Sequence, residues 1–548
     1  MTIADDLDRA RHLSFAADEE SAKDLLLSLM PRIEEVDRDD LMMEVLAQLG
    51  EIYLVRTAYD GVREAIRRIT DCLTVYRDIR KGTNPEAAAR ATMSDDEIDH
   101  MLCRYTRRVH FLRTGLAAAA HGDHEGAEAA LLVLCFDESG TAFPDLAAEH
   151  RFLITHARII CATALIDDDL HVQSVPLWEK VIGAITDSGS DSEYDDHLLV
   201  LGATNYGRFC VETGRLSEAE PWLRRAGARA EARGWRLATA RTQLERSTAA
   251  WAAGDRRQAQ NLVHEAYPAI AEHARAHDVS RCWLYFGLIS ISVGALDDAD
   301  ERLGHAERHW REVQRPLHIH RILLQRSWVD ILRNDFTAAA EKTAEARELL
   351  DSWPRHSWVQ YARLDDHTGT ILRAEAMADP VGAADKFEQA ADLKVPAALA
   401  VDSVRHAIVD ADARMRWATY VSAPILAGAF AVASDWGNTG LLSELIEYHC
   451  ARGAFSTEPV DDAAAGWTGA ATAAVPIVAD EEYALVAAGS ASASTLSVER
   501  GGLTRLGPLP PLRMDPTAMP IMQRFRDLAF ERYGCDVTAA GAPWPTWP

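Results

Sequence analysis

The positions of apolar, small and polar residues recur along this chain with a fixed period. Four turn-like dipeptides, Gly214-Arg215, Gly254-Asp255, Gly294-Ala295 and Asn334-Asp335, stand 40 residues apart. Five residues after each comes an alanine (Ala219, Ala259, Ala299, Ala339), and twelve after comes another (Ala226, Ala266, Ala306, Ala346). Seven before each comes a small residue: Gly207, Ser247, Gly287, Ser327. Ahead of the turns lie apolar positions at Leu244, Leu284 and Leu324, and seven residues later at Trp251, Ile291 and Ile331. A step of seven returns to the same face of a helix. The pattern predicts helical hairpins, one helix before each turn and one after.

The columns have a packing logic. Gly or Asn ends the first helix because it tolerates the left-handed conformation that a helix stop requires. The small residue upstream lets the second helix approach closely, and the paired alanines seat it. A lone hairpin cannot bury its apolar face, so hairpins stack. Weaker copies extend the series: Gly115, Gly122 and Ala127; Asp60, Gly61 and Ala65; Ala17 and Ala22; Asp379, Ala384 and Ala391, with Pro380 expected in a first helical turn. A degenerate unit is expected around Ile166–Asp169, and loops at Gly82–Asp96 and Thr186–Asp195. The arrangement resembles the tetratricopeptide repeat, lengthened from a usual unit of about 34 residues. The fold expected is all-α, a tetratricopeptide-like α-solenoid of 40-residue hairpins with an irregular C-terminal tail.

Composition divides the chain into four parts. The array occupies residues 1–394, and residues 395–455 extend it through helices at Pro396–Asp410, Ala411–Ser434 and Thr439–Arg452. Residues 456–500 are rich in Ala, Ser and Thr and read as a flexible segment, with Glu482–Ala488 open to pairing as a short strand. In residues 501–548 a Pro-rich run, Leu506–Pro511, leads to an apolar helix, Ala518–Tyr533, and to a non-helical end, Ala542–Pro548. That helix carries Ile521, Phe525 and Leu528 on one face. So short a helix must dock to persist, either on its own array or on a partner with Phe525 as anchor.

Charge narrows the partners. Fifty-seven Lys+Arg against 84 Asp+Glu give a net charge of −27, which disfavours nucleic acid and anionic membranes. Eight cysteines lie scattered without a Cys-x-x-Cys pair, so neither a zinc knuckle nor a thioredoxin-type site is expected. The acidic start does not suit a signal peptide. The longest apolar stretch, around Val421–Ser434, contains Pro424 and is short for about 30 Å of hydrocarbon. A cytoplasmic protein is expected, with neither a membrane nor a nucleic-acid partner.

Candidate chemistry is sparse. The chain lacks the phosphate-binding Gly-x-x-x-x-Gly-Lys loop, the dinucleotide Gly-x-Gly-x-x-Gly turn and the Gly-x-Ser-x-Gly elbow. Cys450 follows His449 on a helix, so the two side chains point apart. His305 and His309 share a helix face with Glu307 between them, but the order differs from the metalloprotease His-Glu-x-x-His, and no third ligand is evident. No catalytic residue, metal or cofactor is therefore expected. Arg241, Arg281 and Arg321 stand 40 apart, each beside the apolar stripe of a first helix. Such a row either binds carboxylates in a groove, since Arg pairs with them bidentately, or pairs with acidic residues of neighbouring hairpins. Trp222, Trp251, Trp283, Trp310, Trp328, Trp353 and Trp358 fall in or between the hairpins. Most serve packing, whereas an exposed one (Trp251 and Trp328 are the groove candidates) would anchor a bound peptide.

The later segments add a family resemblance. Leu399–His406, Asp412–Trp417, Leu441–Glu447, Cys450–Gly453, Leu506–Met514 and Glu531–Gly534 resemble the helical region of actinobacterial proteins tied to CHAT caspase-like peptidases, in particular the CATRA repeat proteins of bacterial conflict systems. The peptidase half has no counterpart here. The resemblance implies a non-enzymatic interaction scaffold or regulator, partner of a separately encoded caspase-like effector. A small-molecule or peptide sensor arm is the alternative, and a metal-dependent enzyme using His305 and His309 ranks below both.

Overall fold

The computed structural model describes residues 2–136, 143–168, 170–187, 192–353, 357–406, 414, 417–451, 510–515 and 517–546. Over these residues it is all-α apart from one two-residue strand pair, and consecutive helices pack as antiparallel hairpins of the tetratricopeptide type. The chain forms two compact units, Met1–Val211 with Leu216–Val279, and Glu212–Arg215 with Ser280–Pro548. Residues 456–500, including the proposed strand Glu482–Ala488, lie outside the described residues.

In the first unit α1 (Ile3–Phe15) pairs with α2 (Glu19–Val36), and α3 (Asp39–Val55) with α4 (Tyr59–Arg80). A short α5 (Pro85–Ala88) sits within the expected loop before α6 (Asp95–His121), which pairs with α7 (His124–Cys135). There follows α8 (Ala147–Asp167) with α9 (His171–Asp187). Then α10 (Glu193–Glu212) meets α11 (Leu216–Arg233) where Gly207 lies against Leu223, and α12 (Arg236–Ala252) pairs with α13 (Arg256–His273). Helix α14 (Ala276–Ser292) begins in the first unit and runs into the second. The second unit continues with α15 (Leu296–Glu312), the pair α16 (Pro316–Leu332) and α17 (Phe336–Ser352), and the pair α18 (Trp358–Ala378) and α19 (Ala383–Ser403). It ends in α20 (Ala423–Asp435), α21 (Thr439–Ala451) and α22 (Gln523–Tyr533).

The sequence columns are the seams of these hairpins. Gly214, Gly254, Gly294 and Asn334 all have positive φ, at 72°, 85°, 76° and 61°. The amide after each of the last three turns back to a helical carbonyl: Asp255 to Ala250, Ala295 to Ser290 and Asp335 to Asp330, each at 2.9 Å. This bond pattern stops a helix while satisfying one of its final carbonyls. All eight column alanines are completely buried. The small residues lie where the helices meet. Ser247 donates its hydroxyl to the Ala259 carbonyl at 2.8 Å and Ser327 to that of Ala339 at 3.1 Å, while a Cβ on Gly287 would come within 2.7 Å of Leu303 Cγ.

Several expected boundaries shift. Pro380 lies in the turn before α19, whose N-cap is Gly382 at φ 74°, so the proline does not open the helix. Pro396 lies inside α19 rather than at the start of a new helix, and it is held there by burial of the whole surrounding turn. Helix α22 begins at Gln523, after Met522 at φ 53°, not at Ala518. Leu512–Arg513 pairs in parallel with Trp544–Pro545, a contact that short-range sequence pattern does not encode. The helical run Trp417–Asp435 has 19 residues and is long and apolar enough to cross a membrane, which corrects the shorter span expected. In this structure its apolar face is part of the second unit's core: Trp417, Leu426, Ala429, Val432 and Ala433 are buried, and Trp417 Nε1 donates to the Val401 carbonyl at 2.9 Å.

Candidate functional site

On α16, Trp328 and Leu332, four residues apart, share a face, while Leu324 one turn earlier is partly buried against the core of the second unit. Trp328 is 38% exposed and Leu332 46% exposed. His367 of α18 lies under the edge of this face, 5.9 Å from the Trp328 ring, and bonds to Ser327 Oγ at 3.0 Å. Burial holds the His367 imidazole down at about 4, so it is neutral at pH 7. The register one hairpin earlier gives Arg281, Leu284 and Leu288 on α14, all half-buried. The exposed Trp328 ring and Leu332, with Leu324 beside them, make an apolar patch on α16 suited to an amphipathic segment.

The sequence-derived candidates fall in different settings. Arg281 and Arg321 are half-buried in the second unit. Arg241 belongs to the first unit, where it pairs with Asp278 of α14 at 3.2 Å. Trp251 is half-buried, with the Arg256 guanidinium 3.6 Å above its ring. On α22, Phe525 is buried, as is Ile521 just ahead of the helix, and Leu528 is partly buried against α19 and its neighbours. Ion pairs surround this docked helix: Arg524 reaches Glu388 at 2.9 Å and Asp392 at 2.6 Å, and the Tyr533 hydroxyl donates to Asp365 at 2.7 Å.

The histidine candidates pack against rings. His305 stacks on Trp283 at 5.0 Å, and His318 on Trp310 at 3.9 Å, while His309 lies 4.8 Å from the same Trp310. Among the described residues no group of three His, Cys, Asp or Glu side chains is placed to hold a metal ion. Cys450 is an exposed thiol on α21.

Two constellations in the interior carried no motif. The first gathers Glu44 of α3 with Arg11 of α1 and Arg104 and Arg108 of α6. Glu44 pairs with Arg11, lies 3.2 Å from Arg104, and accepts bonds from Gln48 at 2.9 Å and the Tyr105 hydroxyl at 3.2 Å. Arg108 also reaches Glu51 at 2.5 Å and Glu149 at 2.6 Å. Burial opposes ionisation of Glu44, but Arg108, then Arg11 and Arg104, outweigh it and hold the carboxyl well below the usual carboxylate range. Three guanidinium groups facing three carboxylates (Glu44, Glu51, Glu149) balance in charge, which suits a structural knot better than an anion site. The second is Lys394 of α19, a buried lysine whose ammonium donates to Asp366 Oδ1 at 2.6 Å, the Asp366 carbonyl at 2.8 Å and Thr370 at 2.8 Å. All three donor positions are used, so it closes the α18–α19 seam.

No protein-family model matches the chain, and no curated protein matches it. Among solved structures it is similar to aspartyl phosphate phosphatase F from Bacillus subtilis, at 10% identity over 75% of this chain and 99% of that one, with a TM-score of 0.32.

Proposed function

We propose that the protein is a non-catalytic interaction scaffold, and that the α16 patch of the second unit binds an amphipathic segment of a protein partner. The observation that carries this reading is the exposure of Trp328 on an apolar patch. Large aromatic residues held in this way are where interface energy concentrates, at 2 kcal/mol or more each, by about the measure of hot spots generally. Leu332 extends the exposed apolar contact one turn along α16, and Leu324 borders it. The resemblance to CHAT-associated repeat proteins supplies the class of partner: a separately encoded caspase-like effector of a bacterial conflict system, met in the cytoplasm.

The test compares baits. Full-length protein and its Trp328→Ala/Leu332→Ser variant are co-expressed with a caspase-like effector encoded in the same genome, and complex formation is read by co-purification and calorimetry. Wild-type binding that falls at least tenfold in the variant, with an unchanged melting midpoint, supports the surface. Equal affinity of the two baits refutes it. Binding of a small molecule that protects the patch, with no effector bound, would favour a sensor arm instead.

A further inference from the structure

The first unit closes on itself through its N-terminal hairpin. Phe15, at the end of α1, stacks on His197 of α10 at 4.3 Å and lies 5.4 Å from Tyr194, 6.2 Å from Phe152 of α8 and 6.4 Å from Trp235 at the start of α12. His156 of α8 stands 5.6 Å from His197, flanked by Phe111 at 5.0 Å and Phe152 at 5.6 Å. Polar contacts accompany the rings. Glu19 of α2 pairs with Arg275 in the turn between α13 and α14, Arg56 just after α3 donates to the His273 carbonyl at 2.8 Å, and His12 of α1 meets Glu193 of α10. We propose that His156 and His197 form an acid-sensitive latch, which keeps α1 seated across α8, α10 and α12 while both imidazoles are neutral and releases it when they take up protons.

The surroundings of the pair decide the sign. From α12 and the α13–α14 turn, the charged groups that act on His197 are Arg241 and Arg275, both cations. The carboxylates nearest those arginines are already engaged, Asp278 by Arg241 and Glu19 by Arg275. From α1 come Arg11, which lies over the Tyr194 ring at 5.6 Å and pairs with Glu44, and His12, which pairs with Glu193. From α3, α6 and α8 come Glu44, Glu51, Arg104, Arg108 and Glu149, which together with Arg11 neutralise one another. An imidazolium here gains no free counterion and meets a second imidazole and two guanidinium groups. His156 Nδ1 is buried without a hydrogen-bond partner, so it has no acceptor for an added proton. In agreement, burial holds His156 at about 4, and burial, the neighbouring His156, Arg275 and Arg241 hold His197 well below its ordinary value.

The closed form thus binds fewer protons than a form with α1 lifted, where both rings meet water and titrate near about 6.5. Closure is then fully stabilised above that pH and weakens as pH falls toward the depressed values.

Peptide-resolved amide hydrogen exchange on the full chain tests the latch, with intrinsic rates corrected for pH. Protection of Ile3–Phe15 should fall about tenfold or more between pH 6.5 and 5.5, because each histidine protonated only in the open form raises opening by up to about tenfold per pH unit. Peptides from α4, which carries no histidine, should not follow that profile. The His156→Phe/His197→Phe variant should keep α1 protected over the same range. A flat wild-type profile, or an equally steep one in the variant, overturns the proposal. Where the variant fails to fold, exchange at the imidazole Cε1 of the wild-type protein decides: titration of His156 and His197 near their ordinary value also overturns it.

Discussion

Ala274 and Gln314 occupy backbone positions that glycine fills elsewhere in the same register. Gly234, Ala274 and Gln314 stand 40 apart at the turn that follows each hairpin, with φ of 71°, 50° and 54°. An L-side chain in this conformation costs about 1–2 kcal/mol, part of which glycine gives back through its greater freedom in the unfolded chain. Ala274→Gly and Gln314→Gly should each stabilise the fold by about 0.5–1 kcal/mol, and a lower denaturation midpoint in both would contradict the turn geometry. This second row of turns was hidden from sequence because only one of its three members is Gly. Glu44 was equally hidden: its partners come from positions 11, 104 and 108, and no local spacing unites them. Removing its charge leaves three guanidinium groups crowded in the interior, so Glu44→Gln should cost about 3 kcal/mol or more. Because its carboxyl is depressed in the folded state, that stabilisation is complete above about pH 4.5 and is lost as pH falls through the folded value. The deficit of the variant, from denaturant midpoints, should therefore be constant from pH 7.5 to 5 and shrink only below that.

At the scale of helices, the seams were the legible part. Alanines at 0% exposure leave no room beside them, and Ala266 sits where α12 and α13 meet. Ala266→Trp should overpack that seam and cost about 1–3 kcal/mol or more, and an unchanged melting midpoint would refute the packing. The boundaries after α17 were less legible because burial overrides propensity there: Pro396 gives up a helical bond, yet α19 runs on through a fully enclosed turn. The face of α22 could be read from its spacing, but its docking place could not, since Asp365, Glu388 and Asp392 lie more than a hundred residues earlier. Met522, Phe525, Ala529 and Tyr533 are buried against the second unit. Deleting residues 510–548 should cost that unit about 3 kcal/mol or more, at about 1.5–3 kcal/mol for each large apolar side chain uncovered. Retention of the full melting midpoint would show that the contact carries no weight.

For the whole chain, repeat counting foresaw stacked hairpins but not their division, because the 40-residue register passes through α14 without a break while the two compact units part within it. The candidate surface shows the same limit: equal spacing put Arg241, Arg281 and Arg321 in one row, yet Arg241 falls in the first unit and the other two in the second. Spacing fixes a residue's place on its own helix, and only the next helix decides what covers it. Charge acts at the largest scale. A net charge of −27 makes the compact state repel itself, and that repulsion acts over distances that salt screens. The exposed ion pairs, such as Arg67 with Glu64 and Asp71, contribute little and weaken in salt too. The enclosed knot around Glu44 and the Lys394–Asp366 contact are screened much less. The surplus of negative charge should therefore win, and the melting midpoint at pH 7.5 should rise as salt goes from about 0.02 M to about 0.5 M, where the screening length falls below about 5 Å. A midpoint that drops over this range would mean that the surface pairs outweigh the repulsion of the whole.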